Sequence, residues 1–196
     1  MIQGEGGFSL PETALVLAIF GLMTAVATPA LTAALSRGRA AAGAREMSME
    51  MARLRSRAIT ERRIVGMRMT RLPDGYAWRI CLDGDGDGLG GPDIAAGIDS
   101  CGESRNLWER YEGIDFRLPG VAIPEVPPGQ GTLAPSGDPV RFGQSDTISF
   151  TPRGTSSTGT LYVGDGRAGL FAVVLYGRTG RIRTWRFDRQ GHRWVM

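Results

Sequence analysis

The sequence predicts an α+β protein in which one long N-terminal helix is packed on an antiparallel β-sheet domain. Two observations predict this class: apolar residues recur with helical spacing to about residue 62, and shorter strand-like segments separated by turns follow. The 29 glycines and 11 prolines among the 196 residues also indicate many turns. A helix followed by antiparallel strands is typical of an α+β arrangement.

The first predicted element is an apolar helix over residues 8–35. This segment reads FSLPETALVLAIFGLMTAVATPALTAAL, with Glu12 as its only ionisable side chain. A helix needs roughly 20 such residues to cross a bilayer. Pro29 removes one backbone hydrogen bond, so we expect a kink or a local break there. Glu12 also has a purely structural interpretation, because Ser9-x-x-Glu12 has the spacing of a helix capping box.

Two ordinary interpretations of this segment compete. It can be a secretory signal cleaved near Ala25-Val26-Ala27, although its leader contains Glu5 and no arginine, unlike a positively charged signal. It can also be a plain signal anchor. The positive-inside rule would then keep Arg37, Arg39 and Arg45 in the cytoplasm.

The second predicted element, residues 36–62, is an amphipathic helix that continues from the first. Its apolar residues share one stripe: Met47, Met51, Leu54 and Ala58. Charged residues lie largely elsewhere on the helix. We therefore expect the stripe to pack on a sheet and the charges to face solvent.

The remaining residues, 63–196, are predicted to form a β-rich domain. Segments 64–70 and 76–82 flank Pro73-Asp74-Gly75 and are typical of an antiparallel hairpin. The later strand candidates are 114–118, 147–151, 160–163, 170–176 and 181–187. Residues 121–146 are dense in proline and glycine, which predicts a long surface loop.

An acidic segment after the hairpin contains candidate calcium ligands. The first, third and fifth positions of a calcium-loop pattern are Asp83, Asp85 and Asp87, and the sixth is a glycine. Ile94 stands at the twelfth position, where an EF-hand has glutamate, so Asp93 and Asp99 are candidate substitutes. The alternative is an acidic turn without a metal.

Cys81 and Cys101 flank this segment and form a candidate disulfide if the domain lies outside the cytoplasm. In a reducing compartment they would be ordinary thiols. The sequence spacing alone does not decide between these states.

The N-terminus resembles the processing site of type IV prepilins. Gly7, then Phe8-Ser9-Leu10-Pro11-Glu12 and an apolar helix, are in register with that family, and so are a helix glycine at Gly21 and a proline at Pro29. The resemblance implies that prepilin peptidase cleaves after Gly7, removing a leader of residues 1–7. It also implies that the new amine of Phe8 is methylated and meets Glu12 of a neighbouring subunit during assembly. A carboxylate within a bilayer is normally paired or functional.

Later motifs are similar to the GspH/FimT family. They are the Gly- and Asp-rich insertion after a Trp-containing strand, the stretch TISFTPRGTSS and the final strand after Tyr176. The resemblance implies a minor pseudopilin or pilin of a type II secretion or type IV pilus system. Such a subunit crosses the inner membrane once, has a periplasmic C-terminal domain and assembles with other pilins or pseudopilins.

The C-terminal arginines suggest an alternative function. Gly180-Arg181-Ile182-Arg183 matches the GRxR pattern of DNA-binding FimT-like pilins, which implies DNA uptake. The candidate DNA contacts are Arg178, Arg181, Arg183 and Arg186, with Trp185, Phe187 and Trp194 available for stacking. The competing interpretation is the charged face of an edge strand. The net charge of +3 is too small to decide.

Catalytic chemistry has little support in the sequence. His192 is the only histidine and has no evident Ser or Cys partner, and no phosphate-binding P-loop is present. We therefore expect a structural subunit rather than an enzyme, without a catalytic residue.

Overall fold

The computed structural model describes residues 9–196, so the candidate processing residues Gly7 and Phe8 lie outside the described residues. The chain divides after Leu35 into two units. The helices are α1 (Leu10–Glu61) and α2 (Gly91–Ala96). The strands are β1 (Val65–Leu72), β2 (Gly75–Leu82), β3 (Ser100–Cys101), β4 (Arg105–Asn106), β5 (Asp115–Phe116), β6 (Ile123–Pro124), β7 (Thr132–Leu133), β8 (Val140–Arg141), β9 (Thr147–Phe150), β10 (Gly159–Gly164), β11 (Leu170–Tyr176), β12 (Arg181–Asp188) and β13 (Arg193–Val195).

The N-terminal part of α1 is apolar on all sides and is long and apolar enough to span a membrane, by length and composition. Its large side chains are exposed, including Leu17, Phe20 and Leu22. A helix that is hydrophobic all round is suited to a lipid environment or to burial by other chains. Helix α1 is continuous through Pro29, so there is no local break there, and a kink at Pro29 stays a prediction.

The C-terminal part of α1 has one buried face. Its buried residues recur every three or four positions: Ala40, Gly43, Ala44, Met47, Glu50, Met51, Leu54 and Ala58. The predicted stripe is therefore buried, and each large apolar side chain on it stabilises the fold by about 1.5–3 kcal/mol. The helix ends at Glu61, and Arg62 follows with a φ of +55° in the left-handed region.

The first sheet is built around the predicted hairpin. Strands β1 and β2 pair antiparallel from Val65↔Leu82 to Leu72↔Gly75, and β9 pairs on the other side of β1. The order is β3-β2-β1-β9, and β4 also pairs with β2. Gly75 is required at the turn because a Cβ there would lie 1.8 Å from Oδ2 of Asp115.

The second sheet has the order β13-β12-β11-β10-β5, and β8 also pairs with β10. Because successive side chains of a strand point to opposite sides, each strand contributes residues to both faces of the sheet. Leu161, Val163 and Val173 join the core cluster that contains the buried residues of α1. Tyr162 and Val174 join a second cluster on the opposite face. The protein is thus an α+β arrangement of one long N-terminal helix and antiparallel sheets, which confirms the predicted class.

The prediction of a long surface loop over 121–146 is right for most of these residues, which are irregular and exposed, but wrong for its buried part. Strand β6 pairs with β7, and Ile123, Val126 and Leu133 are buried in the second core cluster. The indole Nε1 of Trp194 donates to the carbonyl oxygen of Pro124 at 2.8 Å. This segment covers the outer face of the second sheet, which would otherwise expose its apolar side chains.

Candidate functional site

The first turn of α1 holds the carboxylate of Glu12 in a local hydrogen-bond pair. The backbone N–H of Ser9 donates to Oε2 of Glu12 at 2.9 Å, and the Ser9 hydroxyl donates to the same oxygen at 2.8 Å. The N–H bond is one half of a capping box, as the spacing predicts. No hydrogen bond to Oε1 is seen among residues 9–196, so this oxygen is the one that a further partner can use.

The threonine side chains of the apolar segment form their hydrogen bonds within the helix. Each threonine hydroxyl donates to a backbone carbonyl three or four residues earlier. These bonds run from Thr13 to Leu10, Thr24 to Phe20, Thr28 to Thr24 and Thr32 to Pro29, at 2.8, 2.7, 2.7 and 3.0 Å. Such bonds remove the cost of placing hydroxyls in hydrocarbon. Glu12 is therefore the one charged group that the segment brings into an apolar environment.

The acidic loop, which we define as residues 83–99, clusters three of the five candidate calcium ligands. One carboxylate oxygen from each of Asp83, Asp85 and Asp87 lies within 4.8 Å of the others. Asp83 is buried, whereas Asp85 and Asp87 are exposed. Hydrogen bonding and charge repulsion from Asp85 raise the pKa of Asp87.

The other two candidate ligands lie outside that cluster. Asp99 is buried and braces the loop, since its Oδ1 accepts from Gly84 N and its Oδ2 from Gly90 N, both at 3.1 Å. Asp93 lies in the first turn of α2, and its carboxylate is packed against the backbone of Gly90. Asp99 therefore has a local structural role.

A disulfide joins Cys81 and Cys101 at the base of the acidic loop. The two residues are also register partners of β2 and β3. The cross-link therefore holds together the two chain segments from which the loop emerges.

The candidate DNA-binding arginines do not share one surface. Arg178 is exposed in the turn between β11 and β12. Arg181 and Arg183 are on the same face of β12, because strand side chains alternate, whereas Arg186 is on the opposite face. A single flat ligand on this strand can therefore contact Arg181 and Arg183 together but not Arg186 as well.

The aromatic residues proposed for stacking beside these arginines pack on the second core cluster. Phe187 and Trp194 are 7% and 9% exposed, and their ring centroids lie 5.1 Å apart. Trp185 packs on the same cluster, and its Nε1 is buried. The prediction of base stacking is therefore wrong for Phe187 and Trp194, which are buried in the core, whereas Trp185 is only partly buried. The ring of His192 contacts Phe187 edge-on at 5.6 Å.

Sequence reasoning missed Asp115, a buried carboxylate in a cleft of about 400 Å³ next to the β1–β2 turn. Its Oδ2 accepts from Tyr76 N at 3.2 Å, and its Oδ1 is buried without a hydrogen-bond partner in the described chain. Burial raises the pKa of Asp115 to about 6, against the opposing effect of backbone hydrogen bonds. The available signal was an acid between Ile114 and Phe116 in a predicted strand.

The chain matches no protein-family model, no curated protein and no solved structure. The comparisons therefore assign it to no family.

Proposed function

We propose that this chain is a structural subunit of a type IV pilin-like filament, a minor pseudopilin or pilin of a type II secretion or type IV pilus system. It is made as a precursor, cut by prepilin peptidase after Gly7 and methylated on Phe8. It assembles through its apolar helix with other pilins or pseudopilins. The soluble domain faces the periplasm, and the chain crosses the inner membrane once.

One observation carries this proposal: a single carboxylate, Glu12, lies in the first turn of α1, and the part of that helix from Leu10 to Leu35 is otherwise uncharged, largely apolar and exposed. A charge at the centre of a bilayer costs roughly 2.5–3.5 kcal/mol on insertion scales, and a carboxylate within a membrane segment is normally paired or functional. Cleavage after Gly7 would create a cationic amine on Phe8, four residues before Glu12 in the sequence. Pairing of this amine with Glu12 of the next subunit would compensate the charge and set the register of assembly.

The rest of the chain is consistent with this function. The part of α1 that follows Leu35 has a face buried in the sheet domain. A disulfide favours a domain outside the reducing cytoplasm. Neither feature distinguishes a secretion pseudopilus from a retractile pilus, since both use the same helix.

The experiment that tests assembly replaces the carboxylate without changing the fold of the domain. Glu12→Ala is expected to reduce incorporation into sheared filaments at least tenfold, measured by immunoblot against the membrane-bound pool. Glu12→Gln should behave in the same way, because it keeps the size and removes the charge. Glu103→Ala, which removes an exposed carboxylate from the soluble domain, should assemble normally. Undiminished incorporation of Glu12→Ala would contradict the proposal.

DNA binding through the C-terminal arginines is a second candidate. It is favoured by one observation: Arg178, Arg181, Arg183 and Arg186 form no ion pair with any carboxylate of residues 9–196. On this alternative, the full chain in detergent binds duplex DNA with an affinity that falls as salt rises. Arg181→Gln with Arg183→Gln should weaken binding, and Arg186→Gln on the other face should not. The absence of salt-dependent binding would remove this candidate.

A further inference from the structure

The acidic loop contains a carboxylate that the described part of the protein leaves unsatisfied. Asp83 is only 4% exposed. Its Oδ1 accepts from Gly86 N at 2.7 Å, but its Oδ2 is buried without a hydrogen-bond partner. An ionised carboxylate in this state is strongly unfavourable unless a cation or a donor reaches it. Oδ2 of Asp83 is therefore an atom of the loop that a cation would stabilise.

The groups around Asp83 add negative charge instead of compensating it. The carboxylates of Asp85 and Asp87 converge on that of Asp83 within 4.8 Å. None of the three forms an ion pair with an arginine of the described chain. The sequence between Arg79 and Arg105 contains acidic residues and no basic one. Among residues 9–196, therefore, no ion pair compensates these three carboxylates, and a cation from solution can do so.

We infer that the acidic loop binds one Ca²⁺ ion through the carboxylates of Asp83, Asp85 and Asp87. Calcium takes roughly 6–8 oxygen ligands in flexible geometry, and carboxylates are its usual charged ligands in proteins. Three aspartates supply part of this shell, and backbone carbonyls and water can supply the rest. Magnesium is a poorer match, because it demands near-ideal octahedral geometry and gives up its water reluctantly.

The loop is already held in shape by other groups. Asp99 bridges the backbone N–H groups of Gly84 and Gly90, and the disulfide closes the base. Gly86 and Gly88 have φ angles of +96° and +123°, which residues other than glycine rarely adopt. Pre-organisation lowers the cost of binding. Because Ile94 replaces the bidentate glutamate of an EF-hand, we expect a Kd of about 10⁻⁴–10⁻³ M, as in extracellular calcium modules.

The test uses the full chain in detergent, stripped with EDTA and titrated with calcium chloride by calorimetry and by thermal unfolding. The wild type is expected to bind one equivalent with saturation and to unfold at a higher temperature when calcium is present. Magnesium chloride at the same concentration should give less than a tenth of that shift in Tm. An equal response to magnesium would contradict the assignment to calcium.

Two variants separate a metal site from a structural turn. Asp85→Asn with Asp87→Asn changes exposed side chains only, so the fold is kept and calcium affinity should fall at least tenfold. Asp83→Asn should also lower calcium affinity at least tenfold. It should raise the calcium-free Tm, because it removes a buried unpaired charge; a merely structural aspartate would lower it.

Asp74→Asn is the matched control, since it removes an exposed carboxylate outside the loop and should leave calcium affinity within twofold of the wild type. Binding heats that do not saturate up to roughly 10 mM calcium would overturn the inference. Calcium affinities that are unchanged in Asp83→Asn and in the Asp85→Asn, Asp87→Asn double variant would overturn it too. This site does not depend on filament assembly, so its failure would leave the proposed function in place.

Discussion

Ser9 donates both its backbone N–H and its hydroxyl to one oxygen of Glu12, at 2.9 and 2.8 Å. This pairing fixes the carboxylate at the start of the apolar helix. It also satisfies an N–H group that no helical hydrogen bond could reach. Local capping and a role in assembly are therefore compatible, since the second carboxylate oxygen is left for a neighbouring chain. The same relationship explains how a charged residue can begin a segment that is otherwise suited to lipid.

The packing of α1 on the sheets predicts opposite results for two methionines of the same helix. Met47 is fully buried in the first core cluster, whereas Met49 is 54% exposed. Met47→Ala should reduce the free energy of unfolding by about 2–5 kcal/mol through lost burial and a residual cavity. Met49→Ala should change it by less than about 0.5 kcal/mol. Urea unfolding of both variants in the same detergent measures the difference, and equal losses would contradict the packing.

The disulfide at the base of the acidic loop should stabilise the domain measurably. It cross-links residues 20 positions apart. A loop of that size corresponds to about 3 kcal/mol of lost entropy in the unfolded chain. Cys81→Ser with Cys101→Ser should therefore unfold at lower urea, and dithiothreitol should bring the wild type to the same midpoint. A wild type that is insensitive to dithiothreitol would show that the two thiols are not bonded in the purified protein.

Asp115 predicts a stability that falls as the pH rises. Its folded-state pKa of about 6 lies above the ordinary value of 3.8, so the folded state binds the proton more tightly than the unfolded state. The free energy of unfolding should decrease between about pH 4 and 6 and then level off, by linkage.

Asp115→Asn keeps an oxygen that can accept from Tyr76 N and removes the buried charge. We expect it to stabilise the protein at pH 7.5 by on the order of 1 kcal/mol, allowing for solvent screening in the cleft, and to have little effect near pH 4. Asp74→Asn, in the same cleft but exposed, should change the free energy of unfolding by less than about 0.5 kcal/mol. Urea unfolding across this pH range measures all three proteins. A stabilisation by Asp115→Asn that is the same at both pH values would contradict the buried charge.

The sequence predicted well the elements that have a regular spacing of apolar residues or a clear turn motif. The stripe from Met47 to Ala58 follows the helical repeat, and the Pro73-Asp74-Gly75 turn separates two alternating segments. Both patterns are local, so neither needs knowledge of the rest of the fold. The strand candidates 170–176 and 181–187 were predicted for the same reason and pair as β11 and β12.

The features that sequence missed depend on distant contacts. Strands β6 and β7 have two residues each, which is too short for an alternating pattern, and proline and glycine around them favoured a loop. Their burial comes from Trp194 and the outer face of the second sheet. Likewise, the carboxylate of Asp115 lies against Gly75 and accepts from Tyr76 N, about 40 residues earlier in the sequence. Such contacts have no local signal.

The most direct test of the proposed function is the intact mass of the protein extracted from its native membrane, with fragmentation to define the first residue. A processed pilin-like subunit begins at Phe8 and carries one added methyl group on its amine. A chain that retains Met1 through Gly7 would contradict processing after Gly7. A chain that begins near Thr28 would instead identify an ordinary cleaved secretory signal.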